Sequence, residues 1–153
     1  MRKVSLIIAI STMVILGGNL EITSDDFFYK DGDSKATFSG NVVAKESKNL
    51  INSNKLLVFL DSNSEANKYK AIGNVYFEIV NPKKDINGTC DTLTYLPKED
   101  KYILNGKVKI EDRRNKRKVF GDEIIVDNKK GTSYANSKGK KPVKFIFKIK
   151  SNK

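Results

Sequence analysis

Phe38-Ser39-Gly40-Asn41-Val42, Ile72-Gly73-Asn74-Val75-Tyr76-Phe77 and Leu104-Asn105-Gly106-Lys107-Val108-Lys109-Ile110 are one pattern written three times. Their glycines stand 33 residues apart on both intervals, 40 to 73 and 73 to 106. Around each glycine apolar and other residues alternate, the period-two sign of a strand with one face in a core. Glycine inside a strand weakens it, and the usual reason for keeping it there is a bend, a bulge or the close approach of another backbone. A second element follows each copy: Asn54-Lys55-Leu56-Leu57-Val58, Asp91-Thr92-Leu93-Thr94-Tyr95 and Asp122-Glu123-Ile124-Ile125-Val126. An additional copy of that second element stands in front, Ser24-Asp25-Asp26-Phe27-Phe28-Tyr29. The chain is therefore a run of hairpins, each a Gly-x-Val strand followed by an Asp/Asn-x-Leu/Ile strand.

A repeat of this length predicts stacking, because one unit cannot bury its own apolar face. Glycine at one level of every hairpin lets the sheet fold over at a common crease. The expected product is an elongated, V-shaped or rolled β-structure, apolar inside, with unpaired strands at its two ends. An ordinary β-sandwich with three unrelated glycines is the competing arrangement, and the equal spacing with its paired second element argues against it.

The rest of the chain agrees. Leu20, Ile22 and Phe28 precede a turn at Asp31-Gly32-Asp33, and Phe28 is read with them as inward. Further turns stand at Asp61–Glu65, Asn81-Pro82, Pro97, Arg113–Lys118 and Asp127–Gly131, and a last strand, Val143–Ile149, follows Pro142 as the C-terminal edge. No stretch after residue 20 sustains a 3.6-residue apolar period. Turn chemistry between β-rich runs predicts an all-β, antiparallel single domain over residues 19–150, with no internal linker.

Composition narrows the function. The chain has 153 residues, 29 Lys+Arg against 18 Asp+Glu, no histidine and one cysteine, with a formal charge of +11. Histidine, the commonest general acid/base and metal ligand, is missing. A lone Cys90 allows neither an internal disulfide nor a thiolate zinc cluster. No carboxylate pair, serine with a base or phosphate-cradling glycine loop stands out, so no catalytic residue, metal site or cofactor is expected. The recurring Asp25, Asp91 and Asp122 read as turn or cap residues. Arg2 and Lys3 followed by the apolar run Val4–Leu16 and Gly17-Gly18 fit a secretory signal peptide over residues 1–18, too short to span a bilayer. If it is retained, it would be an anchor. Without Arg2 and Lys3 the balance is 27 against 18, or +9.

The order Ser24-Asp25-Asp26-Phe27-Phe28-Tyr29, Phe38-Ser39-Gly40-Asn41-Val42, Ile72-Gly73-Asn74-Val75, Asn105-Gly106-Lys107-Val108 and Phe120-Gly121-Asp122-Glu123-Ile124 resembles the OstA-like family. Within it, the nearest kind is the periplasmic lipopolysaccharide transport bridge (LptA-type). The resemblance covers roughly residues 22–127, and departs from the family where Asn52-Ser53-Asn54 replaces the usual Gly-Asp pairing. It implies an open β-jellyroll, head-to-tail oligomers joined by strand pairing, passage of lipopolysaccharide through an apolar groove, and an inner-membrane export complex and an outer-membrane insertion complex as partners at its ends.

The repeat phase selects inward residues for that groove: Phe38, Val42, Leu56, Val58, Val75, Phe77, Leu93, Tyr95, Leu104, Val108, Ile110, Ile124 and Val126. Each would either meet lipid A acyl chains or fill a closed core. A 14-carbon chain in water costs roughly 10 kcal/mol at about 0.8 kcal/mol per CH2, which an apolar surface offsets without chemistry. Arg113, Arg114, Arg117 and Lys118, in a turn, are candidates for anionic head groups at the rim, as is the Lys138–Lys141 loop; a solvated surface is the plain alternative. Other readings are an inner-membrane-anchored relay of the same pathway and a surface structural or adhesive repeat protein. Nucleic acid is disfavoured by the export signal and by aromatics on the inner face rather than beside the basic loops. Asp85-Ile86-Asn87-Gly88-Thr89 matches an extended bacterial N-glycosylation sequon at Asn87.

Overall fold

A computed structural model describes residues 19–139 and 141–149. The expected signal peptide lies outside them. The described residues form ten strands and no helix: β1 (Glu21–Thr23), β2 (Asp26–Phe28), β3 (Lys35–Glu46), β4 (Asn49–Leu60), β5 (Ala66–Val80), β6 (Asp85–Leu96), β7 (Lys101–Asp112), β8 (Arg117–Asp127), β9 (Thr132–Asn136) and β10 (Lys144–Phe147). All pair antiparallel in one sheet, with β3 to β8 adjacent in chain order. At one end β1 and β2 lie end to end along β3, against Val43–Lys45 and Thr37–Ser39. At the other, β9 and β10 lie end to end along β8. The expected all-β antiparallel class and hairpin order are what the chain adopts.

The glycines make the crease. Gly40, Gly73 and Gly106 have φ of +82°, +85° and +82°, and each is followed by a second left-handed residue, Asn41, Asn74 or Lys107. Two residues on one strand then face one on the next. Ser39 pairs with Lys55 and Val42 with Ser53, so Gly40-Asn41 stand opposite Asn54 alone. The same step recurs where Gly73-Asn74 face Asp91 and where Gly106-Lys107 face Asp122. Each is a β-bulge, which bends its strand and increases the local twist. The strand on the other side crowds the same glycines. A Cβ on Gly40 would lie 2.6 Å from Asp25 Oδ2, and one on Gly73 2.6 Å from Asn54 Nδ2. Conformation and space both demand glycine. Asn54 thus does what Asp25 and Asp91 do, and the departure at Asn52-Ser53-Asn54 leaves the bulge intact.

The bulge also resets the alternation. In β4 the core-facing residues are Ile51 and Ser53 before Asn54, then Leu56 and Val58 after it. In β6 they are Ile86 and Cys90, then Leu93 and Tyr95. The same one-residue slip acts at Asp25, and it corrects one expectation. Phe27, not Phe28, faces inward; its ring lies 4.8 Å from that of Phe38, while Phe28 is 64% exposed.

A straight twelve-residue strand would span about 40 Å. Yet Lys84 Nζ, in the β5–β6 turn, lies 3.3 Å from Asn128 Oδ1, in the β8–β9 turn at the opposite ends of the strands. The sheet is therefore folded along its crease, with the hairpin turns meeting at the mouth. One arm holds Val42–Glu46, Asn49–Ser53, Val75–Val80, Asp85–Cys90, Val108–Asp112, Arg117–Gly121 and β10. The other holds the remaining halves of β3 to β8 with β9. Inside the fold, Val42, Val58, Val75 and Val108 are the largest fully buried side chains.

A fourth glycine continues the period. Gly139 stands 33 residues after Gly106, with φ +96°. Here the strand stops instead of bulging: β9 ends at Asn136, the Lys138 N–H donates to Asp122 Oδ2 at 2.7 Å, and β10 resumes at Lys144. The expected edge strand Val143–Ile149 is thus a shorter one, whose Phe145, Ile146 and Phe147 are 52%, 47% and 57% exposed.

Candidate functional site

Between the arms a groove of about 740 Å³ opens toward the C-terminal strands. Phe77, Ile79, Ile86, Ile110 and Val119 line it from one arm, and Leu93, Tyr102, Leu104, Ile124 and Val126 from the other. Ala135 of β9 and Val143 and Phe145 at β10 complete the wall at the chain's end. Alternation on either side of the bulges places all these apolar side chains on the concave face.

The thirteen inward candidates form two overlapping sets, since Phe77, Leu93, Leu104 and Ile124 are buried in the core and also border the groove. Phe77, Leu93, Leu104, Ile110, Ile124 and Val126 line the groove. Phe38, Val42, Leu56, Val58, Val75 and Val108 are buried in the core, and Tyr95 is half-buried beside it. Tyr95 stacks on Tyr102 at 4.5 Å and on Tyr69 at 6.4 Å, so the three rings run across β5, β6 and β7. Burial pushes all three phenols above their ordinary range. Ile79, Ile86, Tyr102 and Val119 line the groove but are not among the thirteen candidates. Tyr102 and Ile79 continue the alternation of Leu104 and Phe77 by one step, but Ile86 and Val119 precede their bulges and are out of phase with the residues after them.

The basic candidates are placed differently from expectation. Arg113 donates through Nε and Nη2 to Asp85 Oδ1, at 2.9 and 2.7 Å. Arg114 reaches the Pro82 carbonyl. Arg117 and Lys118 belong to β8 rather than to the turn. Since successive residues of a strand face opposite ways, Arg117 lines the groove with Val119 while Lys118 points outward. Arg117 Nη2 lies 2.7 Å from Asp112 Oδ2, and Asn115 Nδ2 2.8 Å from the same oxygen. Burial pushes the Asp112 carboxyl up, but these bonds from Arg117 and Asn115 outweigh it and hold the group below its usual range. The polar rim includes Asn49, Asn81, Lys83, Lys84, Asp112, Asn115, Arg117, Asn128 and Ser133.

Cys90 occupies the small inward position that Ser53 and Gly121 fill in the neighbouring repeats. It is 5% exposed, and burial, with some help from Asp91, pushes its thiol up to about 12. The thiolate is the reactive form. Folded protein at pH 8 is therefore expected to resist a thiol reagent that labels it at once in denaturant; equal rates in both states would contradict this placement. Among the described residues no group of three or more His, Cys, Asp or Glu is gathered to hold a metal ion.

The folded sheet resembles the crystal structure of LptH from Pseudomonas aeruginosa, described as the LptA-homologous periplasmic component of the conserved lipopolysaccharide transport device. The TM-score is 0.74 at 16% identity, over 86% of this chain and 96% of that one. At that identity the likeness speaks for the fold alone. A sequence search of curated proteins returns no match. The family model for LptA and the LptD N-terminal domain matches residues 21–132, most of the chain and every crease glycine of the threefold pattern. By that match, the chain belongs to the LptA/(LptD N-terminal domain) family of lipopolysaccharide transport proteins.

Proposed function

We propose that this protein carries lipopolysaccharide across the periplasm as part of a bridge between the inner and outer membranes, with lipid A acyl chains held in the groove. The observation that supports this most is the groove itself, apolar from both arms and open to solvent, in a member of a lipopolysaccharide transport family. Nothing in its lining calls for bond making or breaking. Shielding each buried CH2 contributes about 0.8 kcal/mol, so part of a single chain gives useful affinity while leaving release feasible. Copies join end to end by pairing the β1–β2 edge of one with the β9–β10 edge of the next, extending the groove. Residues 1–18 direct export and are then removed, and the two free ends of the assembly meet the membrane complexes. A start near Asn19 or Leu20 on sequencing the exported protein would exclude an anchored relay.

Photo-crosslinking tests the cargo. A photoreactive residue at Phe77 or Leu104 is expected to capture lipopolysaccharide, and one at exposed Lys107 is expected not to. Capture from all three positions equally, or from none in folded protein, would overturn the groove as the carrying surface.

A further inference from the structure

The rim of the groove carries an unbalanced charge. Its lining contains three cations, Lys83, Lys84 and Arg117, against one carboxylate, Asp112. That carboxylate already receives Arg117 and Asn115. The two lysines remain. Asn81 Oδ1 accepts the N–H groups of both Lys83 and Lys84 at 2.8 Å, which fixes the turn that carries them. Lys84 is half-buried and reaches across the mouth to a neutral acceptor, Asn128 Oδ1 at 3.3 Å. Among the described residues neither lysine has a carboxylate within 4.0 Å.

We propose that Lys83 and Lys84, with Asn128 and Asn115 as neutral hydrogen-bond partners, form a binding subsite for a phosphoryl group borne on the amphiphile whose acyl chains occupy the groove. This rests on the carrier reading above and names the head-group chemistry of that same site. Phosphate supplies what the rim lacks. It is a dianion with strong acceptor oxygens, and it replaces the weak Lys84–Asn128 contact with charge-assisted bonds. The Asn128 amide nitrogen donates to Asp100 Oδ1 at 3.2 Å and has a second N–H to offer the phosphate. The apolar floor beneath the rim orders the two parts of the ligand: chains inside, charge at the mouth. Arg113, tied to Asp85, lies outside this subsite, and so does outward Lys118.

The test compares binding of the purified full-length mature protein to bis-phosphorylated lipid A and to the same acylated disaccharide without phosphates. Wild type is expected to prefer the phosphorylated lipid by about tenfold, the scale of one charge-assisted hydrogen bond. Lys83→Gln/Lys84→Gln is expected to abolish the preference while still binding the dephosphorylated lipid as wild type does. Arg113→Gln is expected to keep the preference. Excess inorganic phosphate is expected to displace neither lipid, since it lacks the chains; displacement by it would overturn a lipid-borne phosphate as the ligand. A preference that survives the double lysine variant, or no preference in wild type, overturns the subsite while leaving the carrier intact. Failure of wild type to bind either lipid overturns the carrier reading and the subsite with it.

Discussion

Gly106→Ala is expected to destabilise the protein by about 3 kcal/mol, whereas Gly131→Ala costs about 1 kcal/mol. Both glycines have positive φ, +82° and +66°, so both substitutions bear the left-handed penalty of an L-residue. Only Gly106 is crowded. Its new Cβ would lie 2.7 Å from Asp91 Cβ and closer still to the carboxylate, whereas nothing lies within 4 Å of Gly131. The difference between the two is therefore the steric cost of opening the crease. Small domains hold only about 5–15 kcal/mol in total, so the Gly106 variant loses a large share of its stability. Urea unfolding of both variants measures this. Asp91→Ala added to Gly106→Ala is expected to recover part of the loss, because it removes the carboxyl group that collides while the Cβ at residue 91 stays; a strictly additive pair would mean that crowding by the carboxylate is not the cause. Equal losses at Gly106 and Gly131 would do the same.

That crease was readable because it repeats. Three glycines at one interval, each before an apolar alternation, specify where the sheet bends without any knowledge of its partners. The slip in phase was harder to see. Asp25, Asn54, Asp91 and Asp122 look like ordinary strand-initial polar residues, yet each is the single residue opposite or beside a bulge. Counting by twos through Asp25 puts Phe28 inside, and counting after the slip puts Phe27 there. The same slip hid Ile86 and Val119 from the groove. Gly139 was missed for another reason: no Gly-x-Val follows it, so only its spacing marks it as the fourth crease position. Sequence proximity made the basic turn look like one patch. Arg113 to Lys118 form one cluster in the chain, but a turn and an alternating strand distribute them over two faces, and Asp85 draws Arg113 away. Arg117 shares the rim with Lys83 and Lys84, whose only mark in sequence was their place after Asn81-Pro82.

Charging either end of the sheet is expected to stop the proposed assembly in a way that reveals its symmetry. Phe28 is 64% exposed on the first edge, Phe145 and Phe147 are 52% and 57% exposed on the last, and edge strands with exposed apolar side chains invite pairing. Each aromatic withdrawn from water at a joint contributes about 2 kcal/mol, or about thirtyfold in association. Wild type is expected to form a concentration-dependent series of species by light scattering. Phe28→Asp blocks the first edge and leaves the last free; Phe145→Asp/Phe147→Asp does the reverse. If joints are head-to-tail, each variant alone has no partner and stays monomeric, while an equimolar mixture pairs one good edge with one good edge and stops at a dimer. A symmetric joint predicts otherwise: one variant alone would still dimerise through its intact edge, and mixing would add nothing. Unchanged thermal unfolding of both variants keeps the comparison on the joint, because β2 and β10 lie at the margins of the sheet, away from the buried valines that hold the arms together.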